Sequence, residues 1–145
     1  MRTIKFRGKR VDKDELVFGD LLTGMGYKKG KFYILPHLTY YPSDCNSLDG
    51  YEVETETVGQ FTGLYDKDGK EIYEGDLIEV NGRLFGVVEW HKDGYFFIND
   101  TIVGIRSDGG SYSPIGEMVR YFSNHGHDFS VIGNIHDNPE LLKRL

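Results

Sequence analysis

Thr3-Ile4-Lys5-Phe6-Arg7 alternates strictly, with Ile4 and Phe6 on one face and Thr3, Lys5 and Arg7 on the other. That pattern predicts a half-buried strand. Val11-Asp12-Lys13-Asp14-Glu15 is a polar reversal, after which residues 16–22 return as a hairpin partner. Gly19 within that arm marks a bulge or a close backbone approach. A Gly- and Lys-rich connection, 23–31, leads to a short strand, Phe32-Tyr33-Ile34-Leu35. Residues 36–49 hold two prolines with Ser, Asn and Asp and read as a long loop, in spite of Tyr40 and Tyr41. Residues 51–58 alternate again, with Glu52, Glu54 and Glu56 on one side. This predicts an acidic edge strand whose like charges discourage edge-to-edge pairing.

Farther along, Gln60 to Tyr65 and Glu71-Ile72-Tyr73 are the arms of a hairpin around the turn Asp66-Lys67-Asp68-Gly69. Gly75-Asp76 ends the second arm. Leu77-Ile78-Glu79-Val80 and residues 84–90 flank Asn81-Gly82, the strongest two-residue hairpin signal in the chain. Both faces of 84–90 carry apolar groups, so that strand is predicted to be central. Lys92-Asp93-Gly94 turns into Tyr95-Phe96-Phe97-Ile98, and Ile102-Val103-Gly104-Ile105 follows as a further arm. Ser113-Pro114 predicts an N-cap with proline in the first turn, and Ile115, Met118, Val119 and Phe122 place an amphipathic helix over 114–123. A strand over 130–135 follows, and Asn138-Pro139 opens a terminal helical turn. The predicted fold is mainly β with a minor α part. It is a small SH3-like barrel built from hairpins, with an N-terminal β-hairpin extension and one or two short C-terminal helices. The division falls between an N-terminal β-rich subdomain, 1–56, and the barrel with its helices, 57–145.

Composition agrees with many short strands and tight turns: 19 of 145 residues are glycine and 14% are aromatic. A chain of this length buries about two-thirds of its unfolded surface and folds without staples. The single cysteine, Cys45, allows no intramolecular disulfide, and the N-terminus has no continuous apolar run. Both features predict a cytoplasmic protein with no membrane partner. A net charge of −6 disfavours a broad grip on phosphate backbones and favours a basic protein surface.

Most motifs resolve into structural roles. Asp66-x-Asp68-x-Lys70 begins like a calcium loop, but a lysine stands at the third ligand position, and the glycine and distal glutamate are missing. The glycines and lysines of 23–31 match no phosphate cradle, because a strand follows where a helix must start. No Ser nucleophile elbow, Cys–His pair or dinucleotide fingerprint is present, so no catalytic residue and no cofactor is indicated. Glu71, Glu74, Asp76 and Glu79 would serve acid–base chemistry only if burial raised one of them. His125, His127, Asp128 and His136 are the residue types that zinc accepts, at a spacing that matches no ligand pattern. Among the aromatics, Tyr65, Tyr73, Trp90 and Tyr95 are the candidates for partner contact, with Tyr65 and Tyr73 the most exposed because they sit beside turns.

Residues 58–76, VGQFTGLYDKDGKEIYEGD, together with Val131-Ile132-Gly133-Asn134-Ile135, Asn138-Pro139-Glu140-Leu141-Leu142 and the opening Ile4-Lys5-Phe6-Arg7-Gly8-Lys9-Arg10, resemble the YopX family of phage and prophage proteins. The resemblance implies an origin in a phage, prophage or mobile element of a bacterium. It implies no established activity and carries over no catalytic residue. The resulting expectation is an uncharacterised accessory protein acting as a non-enzymatic protein-binding module. Two other readings stand beside it. One is a nucleic-acid-binding module with Lys5, Arg7, Lys9, Arg10, Lys28, Lys29 and Lys31 as a basic face; the other is a metal-dependent hydrolase built on the C-terminal histidines.

Overall fold

The computed structural model describes residues 1–23, 30–37, 50–100 and 113–143. The predicted arm 102–105, Lys28, Lys29, Tyr40, Tyr41 and Cys45 lie outside the described residues. Two antiparallel sheets and one short α-helix make up the described fold. Six strands order as β4-β3-β2-β1-β5-β6: β1 (Phe6–Lys9), β2 (Leu16–Leu22), β3 (Phe32–Pro36), β4 (Tyr51–Val53), β5 (Gly59–Tyr65) and β6 (Glu71–Tyr73). Four more order as β10-β7-β8-β9: β7 (Asp76–Val80), β8 (Arg83–His91), β9 (Tyr95–Asn99) and β10 (Phe129–Asn134). The chain divides into two compact units, Met1–Phe61 and Thr62–Leu145.

In the first unit, β1 pairs with β2 from Phe6↔Gly19 to Lys9↔Leu16, and β2 pairs with β3 from Gly19↔Pro36 to Leu22↔Tyr33. Gly19 is required by this crossing, since a Cβ there would overlap the Leu35 carbonyl. Val17, Ile34, Tyr51 and Val53 form the core, with Phe6, Leu21, Phe32 and Val58 packed against it. The face assignment drawn from the N-terminal alternation holds for Phe6, which packs against this core, but not for Ile4 or Arg7. Ile4 lies outside β1 and is exposed, while Arg7 and Arg10 are only 6% and 3% exposed. Arg10 is tolerated inside because its Nε and a terminal nitrogen donate to the two Asp12 carboxylate oxygens, each at 2.8 Å, and its guanidinium lies 4.1 Å from the Tyr51 ring centroid.

The predicted acidic strand 51–58 is shorter than expected. After Val53 the chain turns into a 3-10 segment, Thr55–Thr57, where the Thr57 hydroxyl donates to Glu54 O at 2.6 Å and accepts from Lys9 N–H at 2.9 Å. Beyond the β3–β4 ladder, Val53 also bridges Arg10, Val11 N–H donates to Glu52 O, and Glu54 N–H donates to Lys9 O. One bridge joins the ends of this four-strand run, which is too little to close it into a barrel.

The second unit follows its turn signals closely. Asn81 and Gly82 take φ of 51° and 82°, as a two-residue hairpin turn demands, and Gly94 closes the β8–β9 turn by donating to His91 O. β8 is interior in its sheet, as expected. Ile72, Ile78, Val88, Ile98, Ile115, Phe122, Phe129 and Val131 form one core; Leu77, Val87 and Leu141, whose strand members alternate with the first set, form another. The helix α1 (Ile115–Asn124) starts one residue later than predicted, and Pro114 rather than Ser113 is the capping residue, its carbonyl accepting from Glu117 N–H at 2.9 Å. A residue before proline is held extended, which keeps Ser113 outside the helix. Ile115 and Phe122 are buried, and the C-terminal turn is a 3-10 segment, Pro139–Lys143.

The SH3-like closure does not form among the described residues. β9 and β10 stand at opposite ends of the four-stranded sheet, and the side of β10 facing away from β7 is already taken by the β5–β6 turn. Lys67 N–H donates to Phe129 O at 3.2 Å, and Val131 N–H donates to Asp66 Oδ2 at 3.0 Å. Asp66 Oδ1 accepts from Asp68 and Lys70 N–H, both at 2.9 Å, so one buried carboxylate holds three backbone donors. Replacing Asp66 with Ala removes all three acceptor bonds and leaves the buried Val131 amide unpaired, and is expected to cost about 2–4 kcal/mol in urea unfolding followed by circular dichroism. Asp66→Asn, which keeps one carbonyl oxygen, is expected to cost less; equal stability of all three proteins would contradict this role. At the other unit, the Arg10 hydrogen bond holds the Asp12 carboxyl below the usual aspartate range. A depressed midpoint means that this contribution is present above the unfolded midpoint and is lost as pH falls through the folded one. An NMR titration of Asp12 is therefore expected to move upward in Arg10→Met.

Candidate functional site

The β8–β9 hairpin gathers aromatic side chains on both of its faces because its register is fixed at the turn. Trp90 pairs with Phe96, and His91 with Tyr95. With a side-chain period of two, Trp90 and Phe96 share one face and His91 and Tyr95 the other. The Trp90 and Phe96 rings meet edge to face at 4.7 Å between centroids; His91 and Tyr95 stack at 4.6 Å and 8°. Phe97 is buried and touches His91 edge-on at 5.4 Å. His91 Nδ1 accepts from Asp93 N–H at 3.1 Å, which orients the imidazole at the turn. Trp90 is 52% exposed, while Tyr95, Phe96 and His91 are half-buried.

Of the four aromatics singled out in the sequence, the structure brings Trp90 and Tyr95 onto this hairpin. Tyr65 is also exposed, at the end of β5. Tyr73 is not: it is 2% exposed, its N–H donates to Asp76 Oδ2 at 2.7 Å and its hydroxyl donates to Glu71 Oε1 at 3.3 Å. Position beside a turn misled there, because Gly75-Asp76 folds the arm back onto the core and takes Tyr73 with it. Phe96 and His91 escaped notice, although cross-strand counting from Lys92-Asp93-Gly94 pairs them with Trp90 and Tyr95. Among the carboxylates considered for acid–base chemistry, Asp76 is buried as an acceptor for the Tyr73 amide, Glu71 serves the Tyr73 hydroxyl, and Glu74 and Glu79 are half-buried.

The C-terminal histidines do not converge. His125 and His127 stand near each other after α1, with ring centroids 6.4 Å apart and Tyr121 stacked on His125 at 4.2 Å. His136 lies beyond the opposite end of β10, about 20 Å away at the rise of a strand. Asp128 is 3.7 Å from Lys67. The neutral rings of His125 and His127 are also held in opposite tautomers. Tyr121 O can only accept, so His125 Nδ1 at 2.9 Å carries the proton. Asn81 Oδ1 accepts from Asp128 N–H, which turns its Nδ2 donor toward His127 Nδ1 and places the His127 proton on Nε2. An Nε2–H group has no lone pair to offer a cation. No group of three or more potential ligands forms a metal site among the described residues. A long-range nitrogen–proton NMR spectrum at neutral pH is expected to show His125 as the Nδ1–H and His127 as the Nε2–H tautomer. Chain purified without a metal-chelating tag is expected to carry no stoichiometric zinc.

The proposed basic face is largely consumed within the fold. Arg7 and Arg10 are buried, Lys9 Nζ pairs with Asp14 at 2.5 Å, Lys5 lies 5.5 Å from the Phe61 ring centroid, and Lys31 is 3.8 Å from Glu52. Charge is partitioned between the units. Residues 1–61 hold nine Lys or Arg against nine Asp or Glu, whereas 62–145 hold eight against fourteen, so the whole net charge of −6 belongs to the unit that carries the aromatic hairpin. No helix among the described residues is long and apolar enough to cross a membrane.

The crystal structure of protein EF1440 from Enterococcus faecalis is similar to this one, with a TM-score of 0.52 and 21% sequence identity over 98% of this chain and 99% of that one. At that identity the likeness concerns the fold alone. No match was found among proteins of curated function. The family model described as YopX protein matches residues 5–143, nearly the whole length over which both units are built, and the chain belongs to the YopX family.

Proposed function

We propose that this protein is a non-enzymatic protein-binding module of a phage or prophage, working in the cytoplasm of a bacterial host, and that the β8–β9 hairpin is its contact surface. The observation that carries the reading is Trp90, a large amphipathic ring left 52% exposed on a hairpin whose geometry is set by strand register. Trp and Tyr are enriched among the side chains that dominate binding energy, because they bring large area at little cost in rotamer entropy. Phe96 and the His91–Tyr95 stack hold the hairpin end rigid, so little ordering remains to be done on binding. The phage setting that the family resemblance implies supports a host or phage protein as the partner.

The nucleic-acid reading is disfavoured by the burial or pairing of Arg7, Arg10 and Lys9 and by the charge of the second unit. The hydrolase reading is disfavoured by the opposed tautomers of His125 and His127 and by the distance to His136. Capture from lysate of host cells, comparing wild type with Trp90→Ala, tests the proposal. A specific partner retained by wild type and reduced about ten-fold or more by the variant is expected. Equal retention by a Trp90→Ala protein with unchanged circular dichroism would overturn it.

A further inference from the structure

We infer that Asn81 and His127 form a pH-sensitive latch between the β7–β8 turn and the loop joining α1 to β10, closed while the imidazole is neutral and loosened when it takes a second proton. Three hydrogen bonds make the junction. Asn81 N–H donates to Asp128 O at 2.7 Å, Asp128 N–H donates to Asn81 Oδ1 at 3.0 Å, and Asn81 Nδ2 donates to His127 Nδ1 at 2.9 Å. The loop is tied to the helix on its other side, where His127 N–H donates to Phe122 O at 2.8 Å. The first bond joins backbone groups and does not titrate. The other two share one side-chain amide, and that amide fits its neighbours in one orientation only. A backbone N–H is always a donor, so Oδ1 must face Asp128 and Nδ2 must face His127. His127 completes the arrangement only while Nδ1 keeps its lone pair.

Both nitrogens of a protonated imidazole are donors. Nδ1–H then opposes Nδ2–H of Asn81. Turning the amide over gives Oδ1 to His127 but sets Nδ2–H against Asp128 N–H, which the bond from Asn81 N–H to Asp128 O holds in place. Acid therefore leaves one of the two neighbours facing a donor, whichever way the amide turns. An imidazole takes this proton as pH falls from about 8 to about 5. Around His127, α1 contributes Tyr121, whose ring lies 5.9 Å away and nearly parallel, and the loop contributes His125 at 6.4 Å, a second cation in acid. The Asp128 carboxylate is exposed and lies 3.7 Å from Lys67 of the β5–β6 turn, so its charge is shared with a cation already. What the β7–β8 turn sets against the ring is the uncharged Asn81 amide. Farther along, β10 stays in its ladder with β7 through Ser130↔Glu79 and Val131↔Ile78, so the loosening is confined to the α1–β10 loop and the turn it meets. The latch is separate from the β8–β9 contact surface and does not depend on it.

Urea unfolding of four chains, wild type, Asn81→Gly, His127→Phe and the double variant, tests the latch at the two ends of that pH range. Glycine removes the amide and accepts the φ of 51° at this position, while phenylalanine keeps a ring against Tyr121 and Phe122 and removes the titrating nitrogen. The readout is the ratio of unfolding equilibrium constants with and without the Asn81 side chain, in which groups that titrate alike in both chains cancel. At the alkaline end, Asn81→Gly is expected to raise the constant about five-fold, and at the acid end only about two-fold. In the His127→Phe background the ratio is expected to be smaller and the same at both ends. An equal ratio at both ends in the wild-type background, or a fall that persists in His127→Phe, overturns the inference. An NMR titration of the wild-type chain gives a second readout that needs no variant. As the carbon-bound ring protons of His127 titrate, the Asn81 Nδ2 protons or the Asp128 amide are expected to shift with them. A ring titration that leaves both signals in place overturns the inference as well.

Discussion

One buried carboxylate governs how the second unit is assembled. Asp66 accepts from Asp68, Lys70 and Val131, and the last of these lies 65 residues away in sequence. The first two bonds shape the β5–β6 turn; the third ties that turn to β10. The Val131 amide is buried, and a buried amide without a partner is costly, so that bond matters more by its loss than by its presence. Because the turn sits on the outer side of β10, no strand among the described residues pairs there, and the described sheet stays open where a barrel would have closed.

The same economy explains where binding chemistry is to be sought. The stretch 63–76 is the most distinctive in the chain, yet its distinctive groups are spent on the fold: Asp66 on three amides, Asp76 on the Tyr73 amide, and Tyr73 on the core. Arg7 and Arg10 are spent in the same way in the first unit. The β8–β9 hairpin differs, because its register and its Phe96 neighbour hold Trp90 in place without covering it. The proposed contact surface is therefore a half-exposed indole on an acidic unit.

Much of the fold was legible in local chemistry. Asn81-Gly82, Lys92-Asp93-Gly94 and Asp66-Lys67-Asp68-Gly69 each turn where their residue types demand, and the i, i+3, i+4, i+7 pattern of Ile115 to Phe122 marks the helix. What stayed hidden depends on partners far off in sequence. The alternation around Ile4 and Phe6 was real, but the burial of Arg10 rests on Tyr51, and no local pattern announces it. The acidic run 51–58 alternates well enough for a strand, and Thr57 ends it through a hydrogen bond with Lys9. Of the candidate site, Trp90 and Tyr95 were visible as residues, whereas their pairing with Phe96 and His91 appears only in the register. The histidines looked like ligands by type, and only the Asn81 amide reveals the tautomers that set them apart.

If Asp66 holds the second unit together, its turn is a locked part of the sheet. Native-state hydrogen exchange on the amides of Asp68, Lys70 and Val131 measures this. The account predicts that all three exchange as slowly as the paired amides of β7 and β8, since they open only when the turn leaves β10. Exchange of Asp68 and Lys70 at the rate of an exposed loop, with Val131 alone protected, would contradict it.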